Sequence, residues 1–260
     1  RVPARPQQRQ HQAGEFVAER NGGKAQVLLA VRPREGEGKR ARIAAVGVQR
    51  DVRNEIQRSL ARLSVSQLYC YMLHRVEDLD DTAVMEAMED AKTSGWMNKI
   101  GVSIYNPQDA IRAAEDARID VIQVPYNILD QRLDQCDFFV RAKERGKEVF
   151  ARSAFLQGLL LMSPADAEKK VAGSGIYIEN FQEVSQGAGY LPQEAAILYV
   201  LCHEGISYLV FGVDTSGQLY ENVVLLSKRH AFSDTYQKLH GAFRDIDVNI
   251  LEPQRWTISS

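Results

Sequence analysis

KIGVSIYNPQDAIRAAEDARIDVIQVPY, residues 99–126, decides the fold. Its first part, 99–105, is a short apolar run of strand length, and 120–126 is a second one. Between them Asn106 and Pro107 lead into PQDAIRAAEDA. Proline suits the first turn of a helix, where its fixed φ fits and its missing N–H has no helical partner to lose. Strand, helix and strand in so short a span make a βαβ unit, and its two strands are therefore parallel.

The same alternation continues on both sides. AQVLLAV (25–31), QLYCYMLH (67–74), EVFARSA (148–154) and SYLVFGV (207–213) read as strands. Helices are expected at DVRNEIQRSLARL with Asp51 as N-cap, at 81–95 stopped by Gly95, around 131–145 stopped by Gly146, at PQEAAILYVLCHEG opened by Pro192, and at SGQLYENVVLLSKR. A longer excursion containing GLLLMSP follows the 148–154 strand. Nearly continuous apolar strands are those of a parallel sheet covered on both faces. A closed barrel and an open doubly wound sheet both fit. No GxGxxG follows an early strand, which lowers the doubly wound dinucleotide option, and no GxxxxGK[ST] occurs.

Composition bounds the rest. The chain has 260 residues, 45% of them hydrophobic and 25% charged, enough for one large α/β domain. A formal net charge of -2 is not the basic footprint of a nucleic-acid binder. No apolar run reaches membrane-span length, so no span is expected. The polar, basic start RVPARPQQRQHQ lacks the apolar core of a signal peptide. The cysteines, Cys70, Cys136 and Cys202, are widely spaced and form no CxxC, which favours a reducing cytoplasm over a disulfide framework or zinc site. Residues 1–24 are poor in apolar side chains and read as a polar arm or degenerate segment; 25–230 reads as the barrel and 231–260 as a tail packed on it.

In a barrel the chemistry sits at the C-terminal ends of the strands. Those ends carry His74, Ser103 with Tyr105, Gln123 with Tyr126 and Asn127, Arg152 with Ser153, and Gly212 with Asp214. The set holds no paired carboxylates for glycoside hydrolysis and no His/Asp/Glu metal cluster. Amides and hydroxyls with one His suit a polar planar ligand and a polarised carbonyl. Tyr105 and Tyr126 read as packing, and His203, His230 and His240 as core or surface fillers.

YMLHR (71–75), KIGVSIYNP (99–107), VIQVPYNILDQR (121–132), VFARSAFLQGLL (149–160) and LVFGVDTSGQLYENV (209–223) together resemble the aldo/keto reductases. The resemblance runs from about residue 26 to about residue 228, in order and with family-like spacing. It implies a (β/α)8 TIM-type barrel that binds NADPH, with NADH as the alternative, and reduces an aldehyde, ketone or sugar carbonyl. It makes His74 the active-site His. It pairs Ser103 and Gln123 on the nicotinamide carboxamide and puts Arg152 where many members stack a Tyr on the nicotinamide; an ion pair of Arg152 with Asp214 or Glu221 is the competing reading. Ser153, with Gln157 and Gly158 in the loop that follows, falls on the pyrophosphate side. Gly212, Ser216, Gln218, Glu221 and Asn222 fall on the adenosine side.

The departures lie upstream. Leu29 and Ala30 stand where the family has Thr-Lys, and Arg1 and Pro6 fall where it has its Asp and Tyr. Only six strands are legible where the barrel needs about eight, so the first two are expected to be lacking. Truncation or misreading at the N-terminus, a degenerate paralogue, or an edge covered by a second copy in a homo-oligomer would each account for this. The expected function is an impaired NADP(H)-dependent carbonyl reductase; the alternative is a catalytically inactive NADPH-binding protein with a sensing or scaffold role. The tail offers Phe232, Tyr236, Phe243 and Trp256 as pocket walls.

Overall fold

The computed structural model describes residues 15–19, 27–30, 45–213 and 215–256. Its strands are β1 (Glu15–Glu19), β2 (Val27–Ala30), β3 (Leu68–Leu73), β4 (Met97–Ser103), β5 (Val121–Pro125), β6 (Glu148–Arg152) and β7 (Tyr208–Gly212). They form one sheet in the order β2-β1-β7-β6-β5-β4-β3. From β3 to β7 every neighbouring pair is parallel and consecutive, a curled half-barrel of five strands. The helices are α1 (Ala45–Leu63), α2 (Thr82–Thr93), α3 (Pro107–Glu115), α4 (Phe138–Glu144), α5 (Pro164–Lys170), α6 (Gly175–Gly187), α7 (Pro192–Cys202), α8 (Ser216–Val224), α9 (Ser233–Leu239) and α10 (Val248–Leu251).

The deciding unit folds as its sequence dictates. Asn106 accepts the Asp109 backbone N–H at 2.9 Å and Pro107 opens α3, so the chain turns sharply out of β4. Ala110, Ala113 and Ala114 are fully buried on one side of α3, small enough to let the helix lie close to the sheet. Ile100, Val102, Ile122, Val124, Val149, Ala151 and Leu209 join the main core beneath the helices. The residues that alternate with them, among them Ser103, Gln123, Phe150, Arg152, Tyr208 and Val210, share the other, inner face.

On that inner face β3 and β4 meet closely. A Cβ on Gly101 would lie 2.8 Å from Cys70 Sγ and 2.8 Å from Met72 Cγ. Gly101→Ala should therefore destabilise the fold by about 1–2 kcal/mol through overpacking. Thermal denaturation checks this; an unchanged midpoint would show that the β3–β4 contact yields freely.

Four expectations change. The strand read at 25–31 is Val27–Ala30, antiparallel to β1 at the outer edge of the sheet rather than a parallel barrel strand beside β3. Only residues 20–26 separate β1 from β2, too short a link for the crossover that parallel pairing requires. Glu15–Glu19, in the stretch read as a polar arm, is the strand that joins this hairpin to β7. Asp51 does not cap α1, which already runs from Ala45; an Asp inside a helix costs only a few tenths of a kcal/mol, roughly, and does not stop it. The helix expected at 131–145 is split into a 3₁₀ turn (Arg132–Gln135) and α4 by extended Cys136. The excursion after β6 contains α5 and α6, which bury Ala167, Ile178 and Phe181.

Two buried polar devices hold the layers together. Tyr126 donates to Asp134 at 2.9 Å, and His203 Nε2 meets the other Asp134 oxygen at 2.9 Å. His203 Nδ1 accepts the Gly205 N–H at 3.0 Å, so the proton toward Asp134 sits on Nε2. Burial drives the Tyr126 phenol far above its ordinary range, and it stays a neutral donor. Gln131, 1% exposed, donates to Ile128 O at 2.7 Å and Leu239 O at 3.0 Å and accepts from Gly241 N at 2.6 Å. It thereby ties the loop after β5 to the C-terminal segment, whose Phe232, Leu239, Phe243, Ile250 and Leu251 are buried.

Candidate cofactor site

Parallel register brings the predicted rim residues together. Ser103 and Gln123 are directly paired between β4 and β5. Both are buried, and the Ser103 hydroxyl donates to Gln123 Oε1 at 2.9 Å. No described residue accepts from the Gln123 amide nitrogen, so two N–H donors remain for a ligand. Arg152 pairs with Pro125 on the next strand. Its Nη2 donates to Ile104 O at 3.0 Å and its Nη1 to Ser153 Oγ at 3.2 Å. The guanidinium carbon lies 4.4 Å from the Tyr105 ring centre, a cation–π contact. His74 follows Leu73, which pairs with Val102, and so reaches the register position beside Ser103; it is exposed.

The loop after β6 is strained in a specific place. Ser153, Leu156 and Gln157 have φ of 65°, 46° and 54°, and Gly158 has 81°. Left-handed backbone costs a non-glycine residue roughly 1–2 kcal/mol. Buried Leu156 anchors the turn from inside. Asn127 braces it: Nδ2 donates to Ser153 O at 3.2 Å while Oδ1 accepts the N–H groups of Leu129 and Asp130, each at 3.0 Å. Strain that the surroundings enforce so thoroughly is typical of ligand clamps. The backbone N–H groups of Gln157 and Gly158 have no acceptor among the described residues.

Beside this loop lies a cleft of about 640 Å³, bounded by Tyr105, Arg152, Ser153, Gln157, Lys170, Glu252 and Trp256. Tyr105, 47% exposed, is a wall of the cleft and not the packing residue expected. Of the proposed tail walls only Trp256 lines it; Phe232 and Phe243 are core, and Tyr236 packs on Tyr199 and His240. Lys170 carried no signal in the sequence, because nothing there showed that α5 would fold back over the loop.

Glu252 closes one side. Burial pushes its carboxyl up, but Arg255 and Arg132 outweigh that and hold it below the usual range. A depressed carboxylate stabilises the fold above its unfolded pKa and loses that contribution as pH falls through the folded one. The 251–256 wall should therefore loosen on acidification below about pH 4.5, checked by hydrogen exchange of Leu251–Trp256 against β4. Simultaneous loss of protection in both would refute a local role.

The remaining predicted residues form a second group. Glu221 and Asn222 line a hollow of about 300 Å³ with Gln193, Tyr220 and Lys228, and Gln193 Nε2 donates to Asn222 Oδ1 at 3.0 Å. Gln218 caps α8 reciprocally with Thr215, accepting the Thr215 N–H at 3.3 Å while its own N–H reaches Thr215 Oγ1 at 3.2 Å. Ser216 and exposed Gly212 flank that cap, and Asp214 lies outside the described residues. Among its contacts Arg152 donates to Ile104 O and to Ser153 Oγ.

The sequence profile of the aldo/keto reductase family matches residues 5–238. The chain belongs to the aldo/keto reductase family. Among solved structures it is similar to an aldo-keto reductase from Bacillus halodurans in its holo and apo forms. Each is 22% identical with a TM-score of 0.58, over 76% of this chain and 71% or 72% of that one. That likeness shows the fold. No curated protein matches the sequence. Family and fold together support an oxidoreductase, and this family generally binds NADP(H). No described helix is long and apolar enough to cross a membrane.

The donor set suits that cofactor. A carboxamide offers one carbonyl acceptor and an NH₂ donor. The free N–H groups of Gln123 complement the first, and the Ser103 oxygen can accept from the second.

Proposed function

We propose that the chain is an NADP(H)-binding carbonyl oxidoreductase whose cofactor half is built and whose proton-donating half is weak. The observation that carries this is the buried Ser103–Gln123 pair, at 2.9 Å, beside Arg152 on the inner rim of the half-barrel. When bound, the reduced cofactor supplies the hydride. Ser103 and Gln123 would fix the carboxamide and so the ring's orientation. Arg152, with Ser153 and Gln157, would hold the adjoining polar part, and Glu221 with Asn222 the adenosine end. The substrate class is a small aldehyde, ketone or sugar carbonyl.

Carbonyl reduction builds negative charge on oxygen, which a donor must protonate or stabilise. His74, exposed in register with Ser103, is the family catalytic position retained here. Leu29 and Ala30, at the position of the family's Lys, lie in β2 at the far edge of the sheet. Arg1 and Pro6 lie outside the described residues. Lack of a tuned general acid lowers turnover by roughly 10²–10⁴-fold.

Titrating the chain with NADPH, followed by aldehyde-dependent oxidation of the bound cofactor, tests the reading. Expected are saturable binding and slow turnover. Binding with no turnover favours the second reading, a cofactor sensor or scaffold, for which the Leu29–Ala30 substitution speaks. No binding at all removes both.

A further inference from the structure

One wall of the cleft is not assigned by any motif. Lys170 ends α5, and its Nζ lies 5.2 Å from the Trp256 ring centre. The indole is fixed by its own N–H, which donates to Ile250 O at 3.2 Å. Lys170 Nζ also donates to Gln157 O at 3.3 Å, on the strained turn. No carboxylate among the described residues pairs with Lys170. Its neighbours differ: Arg132 is shared between Asp130 and Glu252, and Lys169 pairs with Asp166. The cleft thus presents a cation held on an aromatic face beside Gln157, whose backbone N–H has no acceptor among the described residues, and it is lined also by Arg152 and by Glu252, whose carboxylate is taken up by Arg132 and Arg255. Cations and oriented backbone N–H groups around one hollow form a site for a multivalent anion.

We propose that Lys170 and Trp256 form the outer wall of the nucleotide site and that Lys170 binds the diphosphate of the dinucleotide. The inference rests on the cofactor reading above. It adds residues from α5 and from the C-terminal segment, and Trp256 lies beyond the family-matched range 5–238.

Trp96 and Trp256 are the two tryptophans, so Trp96→Phe leaves Trp256 as sole reporter. Adding ADP-ribose or inorganic pyrophosphate to that variant should shift Trp256 emission. Lys170→Gln should weaken ADP-ribose and NADPH about tenfold, Lys170→Arg should restore most of the loss, and adenosine 2′-monophosphate, which lacks the whole diphosphate, should be unaffected. If NADPH and ADP-ribose bind but Lys170→Gln changes neither, the wall is wrong and the cofactor reading stands. Equal weakening of adenosine 2′-monophosphate would assign Lys170 to the 2′-phosphate and overturn the proposal. Lys170-dependent pyrophosphate binding without NADPH or ADP-ribose binding would leave only a general anion site and overturn both the dinucleotide wall and the cofactor reading. Failure of every ligand to bind overturns both.

Discussion

Gln131→Ala should destabilise the protein by about 3–5 kcal/mol, the largest single-residue effect expected outside the hydrophobic core. The side chain is 1% exposed and serves Ile128 O, Leu239 O and Gly241 N. Truncation strands Ile128 O and Gly241 N and takes one of two donors from Leu239 O, which also accepts the Ala242 N–H at 3.2 Å; each buried group left unpaired costs roughly 1–3 kcal/mol. It also leaves a cavity between the β5 loop and the C-terminal segment. Chemical denaturation measures the loss. Gln131→Glu separates the two contributions, because it keeps the volume and the acceptor while removing both N–H donors. A Gln131→Ala change below about 1 kcal/mol would mean that water enters and replaces the amide.

Gln123→Ala should weaken NADPH by about thirty- to a hundredfold, roughly 2–3 kcal/mol. The mutation removes the N–H donors proposed to meet the carboxamide. It also removes the acceptor of the Ser103 hydroxyl, 2.9 Å away, so the partner is disordered as well. Ser103→Ala alone should cost less, since Gln123 keeps its donors. Gln123→Glu should be at least as damaging as Gln123→Ala despite its matching shape, because a carboxylate only accepts. Calorimetric titration decides; equal affinity in Gln123→Ala would place the nicotinamide elsewhere.

The rim was legible for a definite reason. Ser103 and Arg152 each end an apolar strand, Gln123 is the polar residue within the short apolar β5, and parallel strands with similar crossovers bring them to the same rim. Asn127 was visible at a strand end, but its bracing of the loop after β6 was not, since its partner Ser153 is twenty-six positions away. Tyr105 carried a misleading signal: its aromatic character suggested packing, yet it emerges from β4 beyond the last covering side chains.

What the sequence determined by itself is local or periodic. The βαβ alternation, the cap at Asn106–Pro107, the stops at Gly95 and Gly146 and the polar strand ends follow from φ/ψ preferences and from which face of a strand is apolar. Tertiary structure alone decided which distant segments share the cleft. The contact of Lys170 with Trp256, the hold of Gln131 on residues 239–241 and the attachment of the β1–β2 hairpin to β7 all join positions far apart in the chain. Such contacts depend on how whole layers pack. No residue's own propensity encodes them.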